Sequence, residues 1–386
     1  MVRFGIIGIG NMGRSHLSGF VAGKVKDGKV TAICDINPEK LKYADEIGAD
    51  VKKFTKAEDL LTCGEIDAVV IATPHYFHPE YAKIAFDNNL HVLIEKPAGV
   101  YTKQVREMNE RAAKSDKIFG IMYNQRTNPV YQKIRDLITS GELGAIKRIN
   151  WIITDWYRPQ AYHDSSDWRS SWGKEGGGAL INQCPHQLDL WQWLFGMPQK
   201  IHSFVGFGKY HDIEVEDEVT AYMEYENGVT GVFITSTAEA PGTNRLEIAC
   251  DKGRLVVENG TQISFKRLRG TEREFNATNT VPFGTPECWD VTIPVNTSGG
   301  PQHVGIFNDF VSAVEKGTKL LAPGEEGING LTISNCIHMS AWTGETIEVA
   351  KLDEDKYYEI LQDKIKNSTY KKNVREVTAT DMSKTF

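Results

Sequence analysis

No CxxC pair and no metal-like spacing links the six cysteines, Cys34, Cys63, Cys184, Cys250, Cys288 and Cys336. A disulfide framework and a cysteine-held zinc are therefore not expected. Scattered in this way, they read as reduced, mostly buried thiols, and the reducing cytoplasm is the compartment that suits them. No 18-residue apolar window occurs, so no membrane-spanning helix is expected. Met1-Val2-Arg3 runs directly into a short apolar stretch, without the basic segment, long apolar run and small-residue cleavage site of an export signal. Positive charge is also scarce: 44 lysines and arginines face 51 aspartates and glutamates, for a net charge of -7. Nucleic acid and anionic membranes require a positive surface, so a small-molecule partner is expected instead. Internal repeats and low-complexity blocks are absent.

What is present is an ordinary globular mixture, 25% charged and 40% hydrophobic over 386 residues. That length favours two domains sharing one cleft. Up to about residue 120, short apolar runs alternate with amphipathic stretches, as in buried parallel strands covered by helices. Strands are predicted at Phe4-Ile9, Val30-Cys34, Ala68-Ala72, Val92-Ile94 and Ile118-Met122, and helices at Met12-Ala22, Pro38-Ile47, Pro79-Asn88 and Thr102-Lys114. The pattern is that of an α/β protein with a doubly wound, Rossmann-type parallel sheet over residues 1–123.

After a helix over Asn128-Ser140, strands follow one another at Ile146-Trp156, Ile201-Phe207, Glu218-Tyr225, Val229-Ser236 and Leu246-Ala249. Such succession predicts a mainly antiparallel sheet, and helices at Cys184-Leu194, His303-Lys316 and Glu325-Thr343 make residues 124–350 an α+β domain. The charged extension 351–386 is expected to hold a short helix near Tyr357-Ile365 and then a tail.

Gly8-Ile9-Gly10-Asn11-Met12-Gly13 follows the first strand and opens the first helix. In that context a G-x-G-x-x-G sequence predicts a dinucleotide cradle: a tight turn, close backbone approach to a pyrophosphate, and close helix–strand packing. Asp35 ends the second strand, where a carboxylate accepts hydrogen bonds from the adenosine ribose. It also repels the additional phosphate of NADP, which Ile36 and Asn37 do nothing to offset. NAD is the expected cofactor, with NADP disfavoured and no metal. Thr73, Pro74 and His75, after the fourth strand, are expected to pass near the nicotinamide.

Glu95-Lys96-Pro97 sits at the end of the fifth strand, which aims Lys96 at the ligand crevice of an open parallel sheet. From there a lysine can donate to a substrate hydroxyl and stabilise developing alkoxide, although position alone is equally consistent with a surface lysine. In the second domain, Gly176-Gly177-Gly178 leads through Asn182 into a helix bearing His186, a residue type suited to general acid/base work. Tyr162, His163, Trp168 and Arg169 concentrate aromatic and cationic groups in a loop bordering the cleft, with substrate contact and ordinary packing as the alternatives. Asn124 and Arg126 either contact substrate or fix the interdomain joint. His78 is expected to cap or pack, and Glu216-Asp217 to be solvated or structural.

Taken together, the glycine loop, Thr73-Pro74 with His78, Glu95-Lys96-Pro97, Asn124-Gln125-Arg126, Trp168-Arg169, the triple-glycine segment ending at His186, and Val215-Glu216-Asp217 resemble the glucose-fructose oxidoreductase and inositol 2-dehydrogenase family. The resemblance spans about Arg3 to Val349. It implies that Lys96 and His186 flank nicotinamide and substrate, with the histidine as acid/base. It also implies a large open sheet in the second domain that makes a homodimer or homotetramer. One departure stands out: Asn182 replaces the aspartate of the family pattern, and Cys184 replaces its glycine. An amide still orients a sugar hydroxyl but places no negative charge beside His186.

Three functions follow as expectations. The first is an NAD-dependent oxidoreductase acting on a secondary hydroxyl of a sugar, cyclitol or sugar derivative, with Lys96, His186 and Asn182 at the chemistry. The second keeps the nucleotide bound and uses transient oxidation to cleave a glycoside or epimerise a sugar. The third is a nucleotide-sensing regulatory protein without chemistry.

Overall fold

The computed structural model describes residues 1–370 and residue 374. Six parallel strands form the first sheet: β1 (Val2–Ile7), β2 (Gly28–Cys34), β3 (Lys52–Phe54), β4 (Ala68–Ile71), β5 (His91–Ile94) and β6 (Phe119–Ile121). Their order is β3-β2-β1-β4-β5-β6, so the winding reverses between β1 and β4. All four residues of β4 are buried because helices cover both faces, which is why this strand reads as a continuous apolar run. Connecting helices are α1 (Asn11–Val21), α2 (Pro38–Leu41), α3 (Tyr43–Glu46), α4 (Ala57–Leu61), α5 (Phe77–Asp87) and α6 (Thr102–Ala112). Asn37 caps α2 by accepting from the Glu39 amide, with Pro38 at the first helical position.

Two features of this half differ from expectation. The helix predicted over Pro38-Ile47 is two short helices meeting at Lys42. Strand β3 and helix α4 gave no clear signal, since β3 is three residues long with two exposed lysines.

Helix α7 (Pro129–Thr139) leads into the second sheet, built from β7 (Ile146–Ile153), β8 (Lys200–Phe207), β9 (Glu216–Glu224), β10 (Thr230–Ser236), β11 (Asn244–Cys250), β12 (Gly253–Glu258), β13 (Gln262–Leu268), β14 (Cys288–Ile293) and β15 (Ile347–Glu348). Its order is β14-β13-β12-β11-β7-β10-β9-β8-β15. Pairing is antiparallel except between β7 and β10, which run parallel, so the sheet is mixed. The remaining helices are α8 (Gln160–Asp164), α9 (Pro185–Phe195), α10 (Glu272–Thr278), α11 (Gln302–Lys316), α12 (Gly327–Thr343) and α13 (Glu354–Lys366). Leu188, Trp191, Ile333 and Ile337 of α9 and α12 join Trp151 and Phe233 of the sheet in one buried cluster.

Helix α11 falls within the stretch 124–350 but packs on the first domain. Phe307 and Phe310 meet Phe4 with ring centroids 6.1 Å apart in both pairs, and Phe307 lies 4.9 Å from Phe20. The chain therefore returns to the first core after building the second sheet, an exchange that local pattern does not encode. Part of the 351–386 extension is structural as well. Tyr357 and Leu361 of α13 are buried with Trp172 and Met339, and Lys364 lies over Trp172 and Trp342 at 5.7 and 5.1 Å. The tail beyond residue 374 lies outside the described residues. Among the described residues, no helix is long and apolar enough to cross a membrane.

Candidate active site

Strand ends bring the cofactor candidates to one edge of the first sheet. Gly8 has φ +94°, and a Cβ there would press on the Ala72 carbonyl of the neighbouring strand end. A Cβ on Gly13 would collide with the Gly8 carbonyl oxygen, so only glycine lets α1 start this close to β1. Gly10, by contrast, faces open space, which leaves room for a pyrophosphate against the α1 N-terminus formed by Asn11, Met12 and Gly13. Asp35 is buried at the end of β2. Its Oδ2 accepts from the Ile9 amide at 2.8 Å and its Oδ1 from the Asn37 amide at 2.9 Å. Helix α2 adds a cation absent from positions 36 and 37: Lys40 Nζ lies 3.5 Å from Asp35 Oδ2. These residues fit a dinucleotide.

Beside this cradle, the loops after β4 and β5 are stapled together. His78 Nδ1 lies 2.8 Å from the Pro97 carbonyl and its Nε2 2.7 Å from the Thr73 carbonyl. The histidine expected to cap or pack thus joins the two segments that carry the nicotinamide candidates. Thr73 Oγ1 is buried without a hydrogen-bond partner among the described residues. His75 points the other way, with Nδ1 2.9 Å from the Glu175 carbonyl.

Glu95 is buried and bound by a residue that sequence reasoning missed: His16 Nε2 donates to Glu95 Oε1 at 2.6 Å. Burial alone would raise this carboxyl's pKa, yet the His16 hydrogen bond and charge hold it down to about 2. His16 sits three residues after Gly13, one turn along α1, and its ring lies 5.5 Å from that of His303 at the start of α11. Burial drives His303 down to about 4. The signal available for His16 was its placement on the buried face of the glycine-loop helix. His303 had none, because α11 arrives from far along the chain.

Lys96 crosses from the first domain to the second, donating from Nζ to the Asn182 backbone carbonyl at 3.0 Å. Burial lowers its pKa from the ordinary lysine value, while Glu95 and Glu175 pull in the opposite direction. Asn182 belongs to a π-helical turn, Ala179–Gln183, that feeds α9. Glu216 fixes that turn by accepting from the Gly178 and Leu180 amides at 2.8 and 2.9 Å. Glu216 and Asp217 are thus buried structural acids, and the solvated alternative is wrong for both. His186 follows at the start of α9, 4% exposed. Neither of its ring nitrogens has a hydrogen-bond partner among the described residues. Burial, and then the positive charge of Lys96, push its pKa well below the usual histidine range. The result is a neutral imidazole held beside an ammonium group, with its hydrogen-bonding capacity open.

Of the six substrate candidates, three converge on this place. The Tyr162 hydroxyl oxygen receives Arg169 Nη1 at 2.6 Å, Gln183 Nε2 at 3.0 Å and Asn182 Nδ2 at 3.3 Å. Trp168 packs edge-on against His75, with centroids 5.5 Å apart, and Arg169 lies over both Tyr162 and Trp168 at 4.4 and 4.7 Å. His163 is buried behind them, its Nδ1 2.8 Å from Ser170 Oγ.

Asn124 and Arg126 lie elsewhere. Arg126 makes a bidentate pair with Asp189 at 2.6 and 2.9 Å and reaches Glu326 at 2.6 Å and the Leu321 carbonyl at 3.0 Å. All of its donor-bearing nitrogens are engaged, so it fixes the joint instead of offering a hand to substrate. Asn124 is buried and donates to Gln302 at 2.6 Å, which binds it to the start of α11.

Comparison with known proteins identifies the family of both halves of the chain. Residues 2–123 match the oxidoreductase family with an NAD-binding Rossmann fold, and residues 131–256 match the GFO/IDH/MocA C-terminal domain. The chain belongs to the GFO/IDH/MocA oxidoreductase family. Among curated members, it is 24% identical to 1,5-anhydro-D-fructose reductase of Ensifer adhaerens, covering 90% of this chain and 99% of that one. Identity to inositol 2-dehydrogenase of Rhizobium meliloti (strain 1021) is 22%, over 90% and 99% of the two chains. The fold is shared with the WlbA dehydrogenase of Bordetella pertussis, solved with NADH and UDP-GlcNAcA: TM-score 0.75, 24% identity, and coverage of 90% and 98%. As a GFO/IDH/MocA oxidoreductase, this protein is a dehydrogenase with NAD as its cofactor.

Proposed function

We propose that this enzyme interconverts a secondary alcohol and a ketone on a sugar, cyclitol or sugar derivative, with His186 as the acid/base and Lys96 orienting the reacting oxygen. One observation carries the reading: His186 is buried, its pKa pushed well down by burial and by the charge of Lys96, and both of its ring nitrogens are without a partner among the described residues, while Lys96 spans the two domains. A buried imidazole without partners is costly unless a ligand completes it. The relatives' names, an anhydrofructose reductase and an inositol dehydrogenase, support a polyhydroxylated ring as that ligand.

NAD, when bound, supplies a hydride acceptor at nicotinamide C4. Gly8, Gly10 and Gly13 with the α1 N-terminus would hold its pyrophosphate, Asp35 its adenosine ribose, and Thr73, Pro74, His75 and Glu95 would border the nicotinamide. In the oxidation direction His186 takes the hydroxyl proton as the C–H bond breaks and the C=O bond forms. Lys96 donates to the same oxygen and stabilises its alkoxide character. In reduction His186 returns the proton. Burial penalises the imidazolium more than the neutral imidazole, which matches a base that must start uncharged.

The experiment is a panel of polyols, pyranoses and glycosides with NAD and NADP, following absorbance and product together. NADH accumulating with a ketone product supports the reading. Product forming without net NADH means transient oxidation, and no response across the panel leaves only nucleotide binding.

The same proposal includes self-association through the second sheet, whose outer face presents Phe204, 71% exposed, and the neighbouring Tyr222. Phe204→Lys should lower the mass seen by analytical ultracentrifugation. Six free thiols, four of them buried, suit a cytoplasmic setting.

A further inference from the structure

Position 182 carries an amide, yet a buried carboxylate reaches the same place from a residue outside the expected site. Glu175 directly precedes the triple glycine and is 3% exposed. One of its carboxylate oxygens receives the Asn182 side-chain amide, and the other receives the Ser170 backbone amide. Its own carbonyl is held by His75. Glu175 therefore ties together the catalytic turn, the aromatic loop and the loop after β4.

This contact has a chemical direction. A carboxylate can only accept, so it fixes which end of the Asn182 amide points toward it. The Asn182 NH2 group has two hydrogens, and the two acceptors beside it are Glu175 and the Tyr162 hydroxyl. Oδ1 makes no hydrogen bond among the described residues, which leaves it to accept from a ligand. Tyr162 is constrained in the complementary sense. Three donors, from Arg169, Gln183 and Asn182, converge on its oxygen, so its own O–H is turned outward as a donor.

We propose that Glu175 is a positioning residue that sets the polarity of this pair, presenting Asn182 Oδ1 as acceptor and the Tyr162 O–H as donor to one hydroxyl of the substrate ring, and that through Asn182, which contacts both Glu175 and Lys96, it adds a second negative charge to that of Glu95 near the lysine. The proposal rests on the polyol-oxidising function above and adds to it a rule of recognition: the ring carries a hydroxyl next to the reacting carbon that both donates and accepts. A ring lacking that hydroxyl leaves two partly buried polar groups unpaired.

The test compares wild type with Glu175→Gln, which keeps shape but removes charge and can present an NH2 to Asn182. Tyr162→Phe, which deletes the outward donor together with the oxygen that accepts from Arg169, Gln183 and Asn182, is the second variant. Folding is checked by NAD binding. With the best polyol and its mono-deoxy analogues, wild type should prefer the full polyol over one analogue by about tenfold to a hundredfold in kcat/KM. Both variants should collapse that ratio, the loss of kcat/KM falling much more heavily on the full polyol than on the analogue. Equal losses on polyol and analogue would mean a merely structural role and overturn the proposal.

A substrate-free arm separates this from failure of the functional reading. Lys96 is followed by ¹³C-dimethylation, its resonance being the one missing from Lys96→Arg. Loss of a nearby carboxylate disfavours the ammonium, so Glu175→Gln should move the Lys96 titration to lower pH. If no polyol reacts with wild type but this titration moves, the functional reading fails and the Glu175–Lys96 coupling stands. An unmoved titration overturns the coupling.

Discussion

Lys96 Nζ and the Asn182 backbone carbonyl meet at 3.0 Å, so the cation of the first domain is aimed by the backbone of the second. Lys96 is thereby held beside His186 through a peptide group and not through a mobile side chain, an arrangement that keeps both catalytic candidates in place before substrate arrives. Lys96→Ala and His186→Ala should each cut kcat by about 10²–10⁴-fold while the dissociation constant for NAD changes little. Stopped-flow turnover and cofactor fluorescence titration measure the two quantities, and near-normal rates in both variants would reject the assignment.

The pH profile of kcat/KM for oxidation should be a broad bell. Burial and Lys96 keep His186 neutral to well below the ordinary histidine value of 6.5, so the acid limb lies below that pH. Burial also lowers Lys96 from 10.5, which draws the alkaline limb, where its ammonium is lost, below the ordinary lysine range. An acid limb at or above pH 6.5 would show that another group takes the proton.

Acid stability should depend on His16. Glu95 is depressed to about 2 from an ordinary 4.5, so its contribution is fully present above pH 4.5 and is lost as pH falls from there toward 2. His16→Ala removes the main opposition to burial, leaving only His303 and Lys96 to lower the Glu95 pKa, and so raises it, moving this loss to higher pH. Melting temperatures of wild type and variant across pH 3 to 7 check the sign: the gap between them should change with pH, and a constant gap would contradict it.

Asp35→Ala should raise KM for NAD by about tenfold, the worth of one or two hydrogen bonds to a charged group, and improve use of NADP. Lys40, 3.5 Å from Asp35, sets the size of that improvement. Asp35→Ala/Lys40→Ala should use NADP less well than Asp35→Ala alone, as paired kinetics with the two nucleotides would reveal.

Arg126→Leu should cost about 3–5 kcal/mol of stability, because Asp189 is left buried without its partner. Activity per folded molecule should change far less than after loss of Lys96. Denaturant titration together with active-site-normalised rates separates a joint from a substrate contact; a normal stability with a large rise in substrate KM would restore Arg126 to the site.

Local chemistry explains what was legible. The glycine loop, Asp35 and the Glu95-Lys96-Pro97 segment are contiguous with buried strands, and the order of strands along the chain fixes that their ends share one edge. The start of a helix at Pro38 and the end of one at Ser140 read correctly because caps and turns are decided by neighbouring residues. Strands β12 to β14 were not anticipated, although β12 holds a buried run of Leu255, Val256 and Val257; β13 and β14 carry charged residues on an exposed face, and β14 in particular is held by its partner strand. His16, Glu175 and His303 were missed for a related reason. Each is an ordinary polar residue in sequence, made significant by a group 79 residues away in the case of His16 and Glu95.

The amino-acid sequence by itself was enough to read the dinucleotide cradle and the succession of two different sheets, and to nominate Lys96 and His186 as candidates for the chemistry, since strand periodicity, glycine placement and residue type are properties of short segments. Tertiary structure alone decided the electrostatics of the site. Burial made His186 neutral, α11 returned to bring His303 beside His16, Arg126 was drawn into the joint, and a loop carried Glu175 against Asn182. Desolvation and charge contact depend on what arrives from distant parts of the chain, and a linear pattern does not contain that.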